Sequence, residues 1–199
     1  KRGETNVHMM FEKDKKNGVI NGLKWFDEYK KINPKAELTI VGDGSQRPKV
    51  EEQIKELKIK CNMLGARNDI KNIMEENGII LGIARCMQEA IAMKRIAIIT
   101  GNDDFQGIIT SDNIEKFSYT NFQDIENGKK NYAEVAKQVN SLKNQNMEEI
   151  VDKNYEWLYA NRNIKDNIYE VEDIETISNP INELDRNEIM RILISELQY

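Results

Sequence analysis

A carboxylate, Glu89, lies inside a short predicted helix that separates two apolar runs of the sequence. On that helix Glu89 shares a face with Cys86, three residues before it, and with Met93, four residues after it. The helix follows Gly82, and the free N–H groups and the dipole of a helix N-terminus both attract anions. The spacing therefore indicates a binding site in which a carboxylate lies one turn from a bound anion. A plainer interpretation is that Glu89 only complements the helix dipole.

The two apolar runs, 79–82 and 96–101, are typical of buried β-strands. Because the connection between them is too long for a hairpin, the strands are predicted to be parallel. Further strands alternate with helices before them, which predicts an α/β fold: a three-layer α/β/α, Rossmann-like open parallel sheet with additional C-terminal helices. The earlier predicted strands are 7–11, 38–41 and 61–64, and the predicted helices are 18–31, 48–57, one that Asp69 caps, and 83–93.

Beyond residue 107 the pattern is looser, with a short predicted strand at 117–119 and predicted helices at 132–142 and 148–158. Residues 1–160 are predicted to form one Rossmann-like domain, and residues 161–199 a C-terminal helical extension. The extension is charged and rich in asparagine, with a break at Asn179-Pro180 and an amphipathic end at 189–197. That amphipathic end is a candidate contact for a homo-oligomer.

Composition argues against several classes of function. The chain has 199 residues, 32% of them charged, and a net charge of −5, which argues against a large nucleic-acid-binding face. No apolar run approaches the roughly 20 residues of a membrane span, and we expect a cytoplasmic protein. The single histidine, His8, is expected to pack within its strand, and the two cysteines lack metal-binding spacing. We therefore predict no metal site, with Asp103-Asp104 as a loop turn.

Ligands of open parallel sheets bind at the carboxyl ends of the strands, where four groups of residues are predicted to meet. The groups follow the first four strands in turn: Lys15 and Lys16, then 42–44, then 65–69, then 82–89. Together they offer cations, glycines, helix N-termini and a carboxylate, which suits a nucleoside diphosphate. Each group also has a plainer interpretation: turn lysines, turn glycines, a helix cap at Asp69 and a surface cap at Arg85.

Three motifs occur in a fixed order: Leu-Thr-Ile-Val-Gly-Asp-Gly at 38–44, Leu-Gly at 64–65 and Gln-Glu-Ala-Ile-Ala-Met at 88–93. This ordered set resembles the C-terminal half of the GT-B glycosyltransferases. The last motif is similar to the Glu-Ala-Met/Leu-Ala helix of the retaining group 1 family, which uses nucleotide sugars. Residues 101–122 are similar to a bacterial subgroup of that family, and the resemblance extends over roughly 5–160.

The resemblance implies a role for each group. Glu89 matches the family glutamate that accepts hydrogen bonds from the ribose hydroxyls. Lys15 or Lys16 matches a lysine that neutralises the phosphates as the leaving group develops charge. The family's contacts to the diphosphate carry over to the amides that follow Gly82, those of Ala84, Arg85 and Cys86. Its contacts to the base carry over to the loop of Gly65, Ala66, Arg67 and Asn68.

Two positions depart from the family pattern. Leu81 stands where the family has a glutamate near the donor sugar, and Met10 where it has an arginine of the phosphate-binding pair. The acceptor site and the catalytic histidine of many members belong to an N-terminal half that this sequence lacks. No catalytic residue is therefore assigned to this half, and we expect the parent enzyme to be active and this chain alone to be inactive.

The function that the resemblance implies is donor binding in an enzyme that transfers a hexose from a UDP- or GDP-type sugar to a glycan, lipid or protein, with no cofactor. Its missing half is a candidate contact to the inner face of the membrane. Two alternatives stay open. One is a degenerate transferase domain that serves as a scaffold, which Leu81 and Met10 favour. The other is a GT-B-like sugar-nucleotide epimerase, which would need several acids and a histidine around the sugar.

Overall fold

The computed structural model describes residues 3–11, 16–145 and 147–162. Its strands are β1 (Gly3–Phe11), β2 (Leu38–Gly42), β3 (Cys61–Gly65), β4 (Asn77–Gly82), β5 (Ile96–Ile99) and β6 (Gly107–Ile108). Its helices are α1 (Lys16–Ile32), α2 (Arg47–Glu56), α3 (Ile70–Glu76), α4 (Arg85–Ala92), α5 (Ile114–Ser118), α6 (Tyr132–Gln145) and α7 (Met147–Arg162). Every strand and helix predicted before residue 107 is present, with ends that differ by a few residues.

The strands form one sheet in the order β3-β2-β1-β4-β5-β6. The first five strands pair in parallel, and β6 pairs antiparallel with β5. The predicted α/β class and Rossmann-like arrangement are confirmed, but the sheet is mostly rather than wholly parallel. Because the chain runs outward from β1 to β3 and then returns to β4, the strand order reverses between β1 and β4, where such sheets open a crevice.

The predicted strand at 117–119 is wrong, because α5 ends at Ser118. Ile114 and Phe117 are both buried and lie three residues apart, which is the spacing of one helix face. The turn before α5 is closed by Asn113, whose side-chain oxygen accepts a hydrogen bond from the Thr110 N–H at 2.8 Å. The sequence pattern missed β6, because a two-residue strand is too short to show any alternation.

Alternate residues of the strands supply two separate cores, one on each face of the sheet. In β4, Ile79 and Leu81 face one core and Ile80 faces the other, as strand geometry requires. The first core contains buried residues of α1, α2 and α6, and the second contains buried residues of α4 and α5. The helices therefore cover both faces, which confirms the predicted three layers.

The first compact unit of the chain is Lys1–Ala160. Most of the predicted extension, with its break at Asn179-Pro180 and its amphipathic end at 189–197, lies outside the described residues, so its oligomer contact stays a prediction. Within the described ranges, no helix combines the length and the apolar character needed to cross a membrane.

Candidate functional site

Three of the four predicted groups of residues lie at one edge of the sheet, formed by the carboxyl ends of the parallel strands (the carboxyl edge). Strands β2, β3 and β4 end there on Gly42, Gly65 and Gly82. The fourth group follows β1: Lys16 is the first residue of α1, and Lys15 lies outside the described residues. The topology thus brings these loops together next to the crevice between β1 and β4.

The start of α4 has an unusual backbone. Ala84, just before the helix, has φ 52° and ψ −129°, a region that residues with a Cβ rarely adopt. Its N–H donates to the carbonyl oxygen of Phe122 at 2.9 Å. Of the three amides predicted to meet a diphosphate, that of Ala84 is therefore already engaged in this structure. A ligand at this end of α4 would meet the helix from Arg85 onward.

Gly82 is required by packing at the same point. A Cβ on Gly82 would lie 3.0 Å from the Cys86 sulfur, so the end of β4 packs directly on the first turn of α4. Cys86 itself is buried, and so are Ala90 and Ile91 in the following turn. The helix is therefore held against the sheet along its apolar side.

Glu89 lies one turn into α4 and is half-buried. Its carboxylate accepts a hydrogen bond from Arg85 Nε at 2.8 Å, and the two side chains are 36% and 70% exposed. An exposed pair at this i,i+4 spacing contributes only about 0.3–0.5 kcal/mol. Arg85, predicted to lie beside the bound anion, thus contacts Glu89, predicted to bind the ribose, and their opposite charges neutralise each other.

The loop after β3 carries a second paired cation. Gly65 has φ +66°, with open space around its Cα, as suits a turn glycine. Arg67 donates through Nε and Nη2 to the two carboxylate oxygens of Asp69, at 2.8 and 2.7 Å. This contact lowers the pKa of Asp69, chiefly through the hydrogen bond from Arg67. Asp69 occupies the N-cap position of α3, as predicted, but its side chain makes no capping hydrogen bond.

A carboxylate closes the loop after β5. Asp124 accepts hydrogen bonds from the Asn102 N–H at 2.6 Å and from the Asp103 N–H at 3.4 Å. Asp104 pairs instead with Lys129 at 3.0 Å. Asp103 and Asp104 thus lie in a loop, as predicted, and Asp103 makes its contact through the backbone N–H whereas Asp104 uses its side chain. Among the described residues, no three His, Cys, Asp or Glu side chains are grouped so that they could hold a metal ion.

His8 is fully buried in β1, which confirms its predicted packing. Within the described part of the chain, neither ring nitrogen has a hydrogen-bond partner. Burial alone lowers the pKa of His8 to about 4, so the imidazole is neutral at physiological pH. An unpartnered histidine in the sheet interior has no direct role at the carboxyl edge.

The two departures from the family pattern lie in neighbouring strands. Leu81 is fully buried in the core on the α1 side of the sheet, where it lies close to Gly22 of α1. Burial of a carboxylate in these apolar surroundings would be costly, and Leu81 instead contributes to the core. Met10 pairs in register with Val41 of β2, within the sheet rather than in the loop that follows.

Sequence reasoning missed the segment that contacts α4 from nearly forty residues away. Phe122 accepts the Ala84 N–H, and the Asn121 side-chain oxygen accepts a hydrogen bond from Gln88 Nε2 at 2.9 Å. Asn tolerates positive φ, so Asn121 carried a weak signal of a turn. Phe122 carried none, because an aromatic residue indicates core without saying what its backbone binds.

Comparison with known proteins gives a likeness of fold. No protein-family model matches the sequence, and no curated protein matches it. A mutant of S. aureus TarM superimposes with a TM-score of 0.65 at 16% identity, over 86% of this chain and 35% of TarM. WaaG, a glycosyltransferase of lipopolysaccharide biosynthesis, gives 0.60 at 14% identity, over 89% of this chain and 48% of WaaG.

These likenesses define the class of fold, which is that of the GT-B glycosyltransferases. The C-terminal domain of LpcC, a group 1 family glycosyltransferase from Francisella tularensis, matches in extent as well. It gives a TM-score of 0.57 at 16% identity, over 82% of this chain and 88% of that domain. The chain therefore spans the equivalent of one such domain and about a third to a half of the two longer proteins.

Proposed function

We propose that this chain is the nucleotide-sugar-binding domain of a group 1 glycosyltransferase that transfers a hexose to a glycan, lipid or protein. The observation that carries the proposal is the position of Glu89, one turn into a helix that starts at the carboxyl edge beside the β1/β4 crevice. The TarM structure was solved in complex with UDP, which supports a nucleoside diphosphate as the ligand here.

In the proposed complex, Glu89 accepts hydrogen bonds from the ribose hydroxyls. Replacing its bond to Arg85 costs little, because that pair is exposed and contributes only about 0.3–0.5 kcal/mol. The released guanidinium of Arg85 then binds the diphosphate at the start of α4. One ligand thus separates the pair and gives each partner a stronger contact.

The donor phosphates are proposed to be held without a metal ion or cofactor. The positive charge comes from Arg85, from the N-terminal end of α4, and from Lys15 or Lys16 after β1. These groups stabilise the negative charge that develops on the diphosphate as the sugar leaves. The loop of Gly65, Ala66, Arg67 and Asn68 is proposed to hold the base, and Gly82 and Cys86 to shape the start of α4.

Acceptor binding and catalysis are proposed to reside in the other half of the parent enzyme, so that this chain alone is inactive. A cytoplasmic location, a membrane contact through that half and a homo-oligomer through the C-terminal end belong to the same proposal. The epimerase alternative needs a histidine near the sugar. The single histidine of this chain, His8, is fully buried in β1, which disfavours that alternative.

Calorimetric titration of the chain with UDP, GDP and ADP tests the proposal. We expect one of them to bind, and Glu89→Ala to weaken that binding by about 2 kcal/mol, roughly thirtyfold. Glu51→Ala is the matched control, because Glu51 accepts from Arg47 Nε of α2 at 2.9 Å in the same i,i+4 geometry. EDTA should leave the affinity unchanged.

Equal affinities of Glu89→Ala and the unsubstituted chain would remove Glu89 from the site. Absence of binding to all three nucleotides at millimolar concentration would contradict donor binding by this chain. That outcome would favour the degenerate scaffold, in keeping with Leu81 and Met10.

A further inference from the structure

Residues Asn121 and Phe122 adopt a backbone conformation that needs an explanation. Their φ angles are +51° and +57°, and neither residue is glycine. Two successive left-handed residues with side chains are strained, and such strain persists only where the surrounding structure enforces it. The strain therefore indicates that contacts with the surrounding structure hold this segment in place.

Packing and one short hydrogen bond hold the segment in place. The Phe122 side chain is fully buried in the core that also contains Ile83, Cys86 and Met87. Its N–H donates to the Phe117 carbonyl at 2.7 Å, which fixes the segment to the end of α5. Phe122 is thus anchored from both its side chain and its backbone.

The anchored segment makes two hydrogen bonds to the beginning of α4. The Phe122 carbonyl accepts the Ala84 N–H at 2.9 Å, and the Asn121 side chain accepts from Gln88 Nε2 at 2.9 Å. Ala84 has positive φ as well, at 52°. Ala84 and the segment of Asn121 and Phe122, which are distant in sequence, therefore bring three strained residues together where the chain turns from β4 into α4.

We propose that Asn121 and Phe122 form a clamp that positions the first turn of α4 for the donor diphosphate. The Ala84–Phe122 bond holds the turn before the helix and makes phosphate contacts begin at Arg85. The Gln88–Asn121 bond fixes the helix rotation next to Glu89. The inference rests on the proposed donor binding and adds two positioning residues to that site.

The exposed half of the clamp allows a test that spares the core. Gln88→Ala removes the donor of one bond, and Asn121→Gly removes its acceptor while keeping a residue that favours positive φ. Gln53→Ala is the matched control, because Gln53 Nε2 makes a comparable bond of 3.0 Å to Glu56 on α2. Each variant is titrated with the nucleotide that the unsubstituted chain binds, and its melting temperature is recorded.

We expect Gln88→Ala and Asn121→Gly each to weaken nucleotide binding roughly three- to tenfold, while Gln53→Ala leaves the affinity unchanged. The loss of nucleotide affinity in the double variant should be no greater than the larger of the two single-variant losses, because both changes remove the same bond. Hydrogen exchange of the Ala84 amide, followed without nucleotide, should accelerate in Gln88→Ala and Asn121→Gly at an unchanged melting temperature.

Nucleotide binding that stays within twofold in both clamp variants would overturn the inference and leave the proposed function standing. A loss of affinity that tracks a loss of melting temperature would also overturn it, since the segment would then be structural only. Failure of the unsubstituted chain to bind any nucleotide would instead contradict the proposed function, and the positioning role with it. In that case, unchanged Ala84 exchange would further show that no clamp acts on α4.

Discussion

Helices α2 and α4 carry the same kind of arginine–glutamate pair near their N-termini, but the surroundings of the two helices differ. Each follows a strand that ends on a glycine at the carboxyl edge. Each carries an arginine and, four residues later, a glutamate: Arg47 Nε contacts Glu51 at 2.9 Å, and Arg85 Nε contacts Glu89 at 2.8 Å. By local sequence and local geometry, the two ion pairs are nearly equivalent.

The surroundings of the two pairs differ. In α2 the arginine also contacts a second acid, Asp43, at 3.2 Å, and Val50 is the single buried residue among those described in that helix. Helix α4, in contrast, has four buried residues: Cys86, Met87, Ala90 and Ile91. The turn before α4 is strained and is held by a distant segment, whereas the N-cap of α2 has an ordinary φ of −91°.

An exposed ion pair therefore does not by itself define a binding site. What distinguishes α4 is that the helix is fixed in position by buried contacts on one side and by the 121–122 segment at its start. The proposed ribose contact needs a carboxylate that is held in a set geometry, and of these two helices only α4 is held in that way.

The largest expected effect is on the free energy of unfolding, and it concerns Phe122 in the segment that contacts the start of α4. Phe122→Ala should lower the free energy of unfolding by about 3–5 kcal/mol, because a fully buried aromatic side chain leaves a cavity. In α2, Val50→Ala removes fewer buried atoms and should cost less. Urea denaturation of both variants measures the difference. A smaller loss in Phe122→Ala than in Val50→Ala would reverse the comparison.

The next effect depends on pH and concerns the sheet face that carries α4. His8 pairs in register with Ile80, which belongs to the α4-side core. Its pKa is lowered from 6.5 to about 4 in the folded chain, so protons bind the unfolded chain first as the pH falls. Folding stability should be fully present above pH 6.5 and should decrease by about 3 kcal/mol down to pH 4.

His8→Leu serves to isolate that contribution, because the acidic residues of the chain titrate in both proteins. Unfolding free energies measured at pH 7 and pH 5 should fall more steeply in the unsubstituted chain than in the variant. Equal slopes would mean that the imidazole is solvated or partnered in solution.

A smaller effect is expected at the turn before α4. Ala84→Gly should raise the free energy of unfolding by about 0.5–1 kcal/mol, because glycine adopts φ 52° without the clash of a Cβ. Ala92→Gly, at the other end of the same helix, should lower it by a similar amount. Thermal melts of the two variants that shift in the same direction would argue against strain at Ala84.

The smallest effect on stability is expected for the ion pairs themselves. Glu51→Ala and Glu89→Ala should each change the free energy of unfolding by less than about 0.5 kcal/mol, because both pairs are exposed. Nucleotide affinity should nevertheless fall for the second variant alone. A marked destabilisation by Glu89→Ala would show that this residue supports the fold instead of the ligand.

Much of the site was predictable because its signals are local. Apolar runs, turn glycines and the spacing of Glu89 from Gly82 placed the helix and its carboxylate at the carboxyl edge. The partners of these residues were not predictable. Arg85 could cap the surface or hold a phosphate, and only the folded chain shows it bonded to Glu89. Asp69 was predicted as a cap, and its side chain is taken by Arg67 instead.

The sequence by itself determined the alternation of strands and helices, the parallel sheet up to β5 and the position of the carboxylate on its helix. These follow from hydrophobic period and chain connectivity, which act between residues close in sequence. The tertiary structure decided the antiparallel β6, the helix at 114–118, the burial of Leu81 and the hold of Phe122 on Ala84. Each of these depends on packing or hydrogen bonds between segments far apart in the chain, and no local pattern records them.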